Sequence, residues 1–376
     1  MSDFYKDDLA SSHTFNFFDK RTNDNESPAP APHTLPSSGQ LFLLSCQEKG
    51  SILVSQLLQS SGEDTRFSLT ALLVPNIFRL SIDDLGCRVM QAAIAHADLD
   101  SLALIVASIQ GAGAEGIVAM AMDKNANHVL QRLLSHTPVQ DLEPLQYQFL
   151  ADALVLDVVD LARHRYGCRV VQKFLQKESL PVEGPAKSLV LDRLLSCEPA
   201  EMDRLIRDQF GNYSIQCCLE HGRAVDRSRI IRDYLVPSVA LGAGTSRVNI
   251  SCDKYASNVL EKALQFGSDT DCELLISALL LGGASLCPAA RAMRDQYGNY
   301  VIQQCLKLDP SLVGVRGLRD LVLSGSADLL RSKYGWHLVH RARLMAQHSP
   351  SGRKMVQEYG VDALLSPTPT AGAGGG

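Results

Sequence analysis

The sequence predicts an all-α fold, an α-solenoid of about seven repeats closed by a C-terminal cap. Three observations lead there: a nine-residue segment recurs six times, the copies fall at a nearly constant step, and the stretches between them carry apolar residues at helical spacing. Composition permits such a fold. Of 376 residues, 45% are hydrophobic and 20% charged, an ordinary globular balance with enough apolar material for a large core.

The segment reads DDLGCRVMQ from Asp83, DKNANHVLQ from Asp123, HRYGCRVVQ from His164, DQFGNYSIQ from Asp208, DKYASNVLE from Asp253 and DQYGNYVIQ from Asp295. Its Gly or Ala falls at 86, 126, 167, 211, 256 and 298, in steps of 40, 41, 44, 45 and 42 residues. That period belongs to a unit of two or three helices, which buries its apolar face only by stacking on its neighbours.

Taken along the chain, residues 1–38 contain SPAPAPHTLPSSG and read as a disordered tail. A weaker copy of the segment, CQEKGSILVS, places Gly50 36 residues before Gly86, and another, SKYGWHLVH, places Gly335 37 residues after Gly298. Both are expected as terminal repeats, atypical because one face lacks a neighbour. The repeat domain then covers 39–345, and 346–376, with SPTPTAGAGGG, is a flanking segment and a second disordered tail.

Within a unit, the Gly or Ala is followed by about ten residues without Pro, apolar at three and four apart, as in Val170, Val171, Phe174 and Leu175. Asp123, Asp208, Asp253 and Asp295 are expected to act as N-caps, and Tyr166, Phe210, Tyr255 and Tyr297 to pack. Stretches such as FLADALVLDVVDLAR and LLISALLLGGASLC supply the other helices. The insertions KESLPVEGPA, after Gln176, and VPSVALGAGTS, after Leu235, are predicted as loops.

Two places in each repeated helix carry unusual chemistry. The residue after the Gly or Ala and the residue four beyond it lie one turn apart on one face, roughly 6 Å from each other, about the width of a base edge. They are Cys87 with Gln91, Asn127 with Gln131, Cys168 with Gln172, Asn212 with Gln216, Ser257 with Glu261, and Asn299 with Gln303. A core would place Leu there. Between them, displaced about 100° around the helix, come Arg88, His128, Arg169, Tyr213, Asn258 and Tyr300, five of which are flat cations or rings suited to stacking an unpaired base.

The series CRVMQ, NHVLQ, CRVVQ, NYSIQ, SNVLE, NYVIQ resembles repeats three to eight of the Pumilio homology domain, in order, and YGWHLVH resembles that domain's C-terminal flanking pseudo-repeat. The resemblance covers about residues 39–345. It implies a right-handed crescent of three-helix PUF repeats, each reading one base of single-stranded RNA that runs antiparallel to the protein. It also implies a code: Asn299 and Gln303 read U, Ser257 and Glu261 read G, Asn212 and Gln216 read U, Cys168 and Gln172 read A, Asn127 and Gln131 read U, and Cys87 and Gln91 read A. The expected core is 5′-UGUAUA-3′. Glu261 has an independent reason to select guanine, because a carboxylate only accepts and guanine offers N1–H and an amino group together.

The departures from the family pattern lie at the ends. The first copy offers Ser51, Ile52 and Ser55 at the reading places, so weak or absent discrimination is expected at the RNA's 3′ end. Trp336, His337 and His340 in the last copy read as a cap. A net charge of −5 argues against a nucleic-acid partner unless cations gather on the reading face, where Arg88, Arg132, Arg169, Lys173, Lys262 and Lys307 fall.

Other signals are weaker. Gly111, Gly113 and Gly116 spell a formal GxGxxG, but helical sequence precedes it and no βαβ unit follows. Asn212 and Asn249 begin sequons that mean nothing without secretion, and the first twenty residues lack a signal peptide's basic start and apolar centre. No run of eighteen apolar residues suggests a membrane span. The ten cysteines form no CxxC pair and are expected as buried thiols; no metal, cofactor or catalytic group is expected.

The reading is thus of a cytoplasmic, monomeric, non-enzymatic protein, with nuclear or nucleolar placement left open. It binds messenger RNA in 3′ untranslated regions and recruits translation-repression or decay factors. Two alternatives stand beside it: a HEAT- or armadillo-like protein scaffold, and a nucleolar protein gripping structured RNA in ribosome biogenesis.

Overall fold

A computed structural model describes residues 36–135, 147–178, 180–241, 249–282 and 286–348, with side chains to 345. The predicted tails therefore lie outside the described residues, apart from 36–38 at the first boundary. There, Ser37 caps the opening helix Ser38–Ser45, accepting from the Gln40 N–H while the Gln40 side chain accepts from the Ser37 N–H. At the other end the last helix continues to His348, past the predicted boundary.

Every regular element among the described residues is helical. Eight helices form one continuous row: Glu48–Ser60, Gly86–Ala95, Ala126–Ser135, Gly167–Gln176, Gly211–His221, Ala256–Phe266, Gly298–Cys305 and Gly335–His348, each packed on the next. A short helix precedes and packs against most of them, as Ile77–Ile82 does on Gly86–Ala95 and Val158–Arg163 on Gly167–Gln176. The helices that open units pack on their counterparts, Glu63–Leu73 on Leu99–Gln110, Gln148–Leu154 on Pro185–Leu195 and Asp269–Leu280 on Val313–Ser324. This is a solenoid of three-helix units, and the last copy has all three helices, in Val313–Ser324, Ser326–Arg331 and Gly335–His348.

The core runs the length of the row. Val89, Val129, Val170, Val259, Val301 and Leu338, and their neighbours Met90, Leu130, Val171, Leu260, Ile302 and Val339, are fully buried. Burying each such side chain contributes about 1.5 to 3 kcal/mol. Two consecutive positions thus face the core, one toward each neighbouring helix layer, and the residue just before them is left on the outer side of the row.

The turn entering each row helix is tied by one side chain. Asp208 Oδ1 accepts from the N–H groups of Phe210 and Gly211, both at 2.8 Å, and Asp83, Asp123, Asp253 and Asp295 do the same two and three residues on. The Asp therefore closes the turn ahead of the helix instead of standing at the cap position, a correction of the N-cap expectation that keeps its chemistry. His164 Nδ1 replaces it in one unit, with longer contacts of 3.4 and 3.2 Å. Close packing explains the small residue that follows: a Cβ on Gly298 would lie 2.7 Å from Ala292 Cα, whereas Ala126 and Ala256 fit buried in their own units.

Two predicted loops differ. KESLPVEGPA is anchored, with Lys177 and Leu180 buried and a helix starting at Pro185. Residues 236–240 of the second insertion are helical, continuing Ala224–Arg229 through a π-helical stretch at Ile230–Leu235 that lies directly before Pro237. The glycine-rich GAGAEG is a helix–helix corner in which Gly113 takes φ 70° and the chain bends by 99°. No single described helix is long and apolar enough to cross a membrane.

Candidate nucleic-acid interface

The row helices bring all six predicted pairs to equivalent places in adjacent units, but the two members of a pair have different surroundings. The first is sealed: Cys87, Asn127, Cys168, Asn212, Ser257 and Asn299 are all 5% exposed or less. Its position beside the Asp-closed turn explains this. Asn127 Nδ2 donates to the carbonyls of Asp123 and Lys124, Asn299 Nδ2 to those of Asp295 and Gln296, and Asn212 Nδ2 to that of Asp208.

The second member is oriented by the first. Gln131 Nε2 donates to Asn127 Oδ1 at 2.7 Å, Gln216 Nε2 to Asn212 Oδ1 at 2.8 Å, and Gln303 Nε2 to Asn299 Oδ1 at 2.9 Å. Each Gln keeps one N–H and its carbonyl oxygen for a ligand. That is one donor beside one acceptor, complementary to O4 and N3–H of uracil. In these three units the Asn side chain is spent on backbone carbonyls and on its Gln, while Gln131 and Gln303 are half-buried and Gln216 is buried.

The cysteine units have no amide at the first place to form that amide–amide tether. Cys168 Sγ faces the Arg165 carbonyl at 3.7 Å and Cys87 Sγ that of Asp84 at 3.5 Å, and burial pushes both thiols up, keeping them neutral. Gln172 is 9% exposed and lies close enough to Cys168 for a side-chain contact that partly offsets the raised thiol. In the remaining unit Ser257 is buried while Glu261 is half-buried; burial pushes the Glu261 carboxyl up, and Lys307 pulls it partly back.

The predicted platforms are on the outside of the row. Arg88, His128, Arg169, Asn258 and Tyr300 are exposed and Tyr213 is half-exposed. Arg169 lies over the Tyr213 ring at 5.7 Å, so these two platforms of consecutive units meet. Asn258, the one platform without a ring or guanidinium, donates from Nδ2 to the Lys254 carbonyl. In the first unit Ser51 is buried and Ile52 exposed, and in the last Trp336, His337 and His340 are exposed.

The expected cations divide. Arg88, Arg132 and Arg169 are exposed and Lys173 is half-buried. Lys262 donates to Glu220 of the preceding unit at 2.6 Å and lies over Phe266, and Lys307, just beyond its row helix, donates to Gln304. Sequence reasoning also missed the ties that hold register between units: Asn125 donates to the Ile82 carbonyl and to Asp84, and Lys124 pairs with Asp84 at 2.7 Å. Their signal was the Lys and Asn at the second and third places of DKNANHVLQ, where the other five copies carry Leu, Tyr or Phe at the third place, and helix periodicity alone does not interpret it. Asn212 and Asn249, the sequon residues, are both buried.

Known proteins share this repeat and this fold. The profile of the Pumilio-family RNA binding repeat matches six segments, residues 76–109, 116–145, 157–180, 203–232, 248–280 and 293–310. A Pumilio domain-containing protein of Schizosaccharomyces pombe is 30% identical over 266 residues, which is 71% of this chain and 35% of that protein. Pumilio homolog 12 of Arabidopsis thaliana is 28% identical over 296 residues, 76% of this chain and 44% of the relative. The chain thus spans a third to under a half of the length of these relatives. Among solved structures, the Puf4 RNA binding domain bound to HO endonuclease RNA 3′ UTR recognition sequence matches at 26% identity and TM-score 0.60, covering 85% of this chain and 87% of that one. The Puf3 RNA binding domain bound to Cox17 RNA has the same fold, at TM-score 0.64 and 23% identity, over 82% of this chain and 84% of its own. Six matched repeats and one row of packed helices make this chain a member of the Pumilio family.

Proposed function

We propose that the chain binds single-stranded RNA sequence-specifically, reading 5′-UGUAUA-3′ from Asn299 and Gln303 back to Cys87 and Gln91. One observation carries the reading: on six adjacent helices, a side chain able to pair with a base edge stands one turn from a buried partner, tied to it on three of them, beside an outward platform. Stacking contributes about 1 to 3 kcal/mol per base, and the edges select among bases. The chain's partner is messenger RNA, its 3′ untranslated region by analogy with the RNAs bound by Puf4 and Puf3, and the outcome is post-transcriptional control of translation or decay through recruited factors. The protein acts by binding and not by catalysis, and works in the cytoplasm.

The test is a specificity swap. The native chain should prefer UGUAUA over UUUAUA, and Ser257→Asn combined with Glu261→Gln should reverse that preference, by about tenfold or more each way. Equal binding of both RNAs by both proteins would remove the assignment of units to bases. Failure to bind either RNA, with capture of peptides instead, would favour a protein scaffold.

A further inference from the structure

Each row helix meets its predecessor with the same two places. Counted from the Gly or Ala, the third and seventh residues beyond it are fully buried from Gly86–Ala95 onward, as are Val89 and Ala93, Val170 and Phe174, and Leu338 and Ala342. In the first row helix, Glu48–Ser60, these places hold Leu53, 51% exposed, and Leu57, 40% exposed. Val54 and Leu58 on the same helix are buried, and the helix packs on Gly86–Ala95, so the side left bare is the one a predecessor would cover. Among the described residues no row helix precedes it.

The short helix of this unit, Ser38–Ser45, is open as well. Gly50 sits against the Leu44 carbonyl as Gly86 does against that of Leu80, which makes the two leucines equivalent; Leu80 is fully buried, whereas Leu44 and its neighbour Leu43 are exposed. A solenoid standing alone needs a polar outer face on its terminal repeat, and clustered apolar exposure marks an interaction surface. The far end of the row is built differently. The exposed and half-exposed places of its last helix carry mostly rings and cations, among them His337, His340 and Arg343.

We propose that this open first unit pairs with the first unit of a second copy of the chain about a two-fold axis, Glu48–Ser60 running antiparallel to its twin with Leu53 against Leu57 across the axis. Two observations choose that occupant. The face continues an interface the molecule already builds along the whole row, the third and seventh places of one helix against a neighbouring helix, and two-fold symmetry supplies the neighbour from the same patch. Charge also matches: in an antiparallel pair centred between Leu53 and Leu57, Lys49 lies about 9 Å from the centre, beside the partner's turn into its next helix, which opens with the acids Glu63 and Asp64. All three are exposed in the single chain. Head-to-tail contact would instead set the leucines against the rings and cations of the far end. The chain expected from sequence to be a monomer thus becomes a dimer with two RNA sites, their hexamers running in opposite directions with the 3′ ends toward the junction. That last consequence rests on the proposed RNA reading; the pairing does not.

The full chain, without RNA, is followed by sedimentation equilibrium from about 1 to 100 µM and should pass from one chain mass to two. Leu53→Glu and Leu57→Lys should each weaken pairing by about 30-fold or more, with helical content by circular dichroism unchanged because both positions are exposed in the single chain. Mixed one to one, the two variants should pair again, since the new carboxylate then meets the new ammonium across the axis. Leu344→Glu, at the far end, should leave the dimer intact. A native chain that stays monomeric to about 100 µM overturns the inference, whatever else comes to cover the face. So does a dimer that survives Leu53→Glu, one that Leu344→Glu dissolves, or a pair of folded variants that stay apart when mixed. None of these outcomes touches the reading of UGUAUA, which is tested by RNA binding alone.

Discussion

At the residue scale, three of the six proposed reading pairs tie a Gln to a buried Asn that fixes its orientation. Helical spacing in the sequence placed both on one face, but whether a residue on that face is covered depends on the preceding turn. There the side chain at the first place bonds back to the turn, as Asn212 does to the Asp208 carbonyl, while the second place ranges from buried Gln216 to half-buried Gln131 and Gln303. Glu261 is where this environment has a measurable consequence. Burial holds its carboxyl above its ordinary pKa, and only the ionised form can accept both guanine hydrogens. As pH falls through that raised value the proton returns and the acceptor is lost; above it, binding is at its plateau. Affinity for UGUAUA should therefore decline on acidification earlier than an exposed glutamate would dictate. The Ser257→Asn, Glu261→Gln variant, titrated with UUUAUA, should stay flat across the same window. Parallel pH profiles for the two pairs would show that Glu261 is not the group being titrated.

At the element scale, the row helix is defined by its entering turn and by the close approach at its first residue. His164 does with an imidazole what five aspartates do with a carboxylate, at longer distances. His164→Asp should therefore raise stability by about 0.5 to 1 kcal/mol, and Asp208→Ala should lower it by about 1 kcal/mol, both read from denaturant midpoints. Gly298→Ala puts a methyl 2.7 Å from the Ala292 backbone and should destabilise by about 1 to 3 kcal/mol, although alanine is the better helix former. A stabilised Gly298→Ala protein would mean that the helix pair can separate freely. These elements were legible because six copies of a nine-residue segment report the same turn. The helix at 236–240 was not legible: a Pro, a Gly-rich neighbour and no second copy of the insertion made it read as loop, and only packing against Asp269–Leu280 shows otherwise.

At the scale of the whole molecule, the solenoid followed directly from the 40- to 45-residue period, because a repeated unit with two core-facing positions leaves few other ways to bury them. Charge was less legible. Lys262 faces Glu220 and not solvent, and what remains near the row is mainly Arg88, Arg132, Arg169 and Lys173. With no more than about four phosphate contacts, the slope of log K against log salt should be no steeper than about −3 for a single strand. A much steeper slope would place phosphate binding above stacking. Units that touch their bases independently should also act additively, so substitutions at Asn127 and at Ser257 should combine within about 0.5 kcal/mol in RNA binding.

The central claim is that six units read six successive bases in a fixed order. Selection by the purified chain from a pool of RNAs with eight randomised positions tests it without presupposing the code. The account predicts enrichment of U-G-U-A-U-A as a contiguous block, sharpest at the G opposite Glu261 and at the uracils opposite the tethered glutamines. Enrichment of an unrelated sequence, or no enrichment from a pool that the protein nevertheless binds, would contradict it.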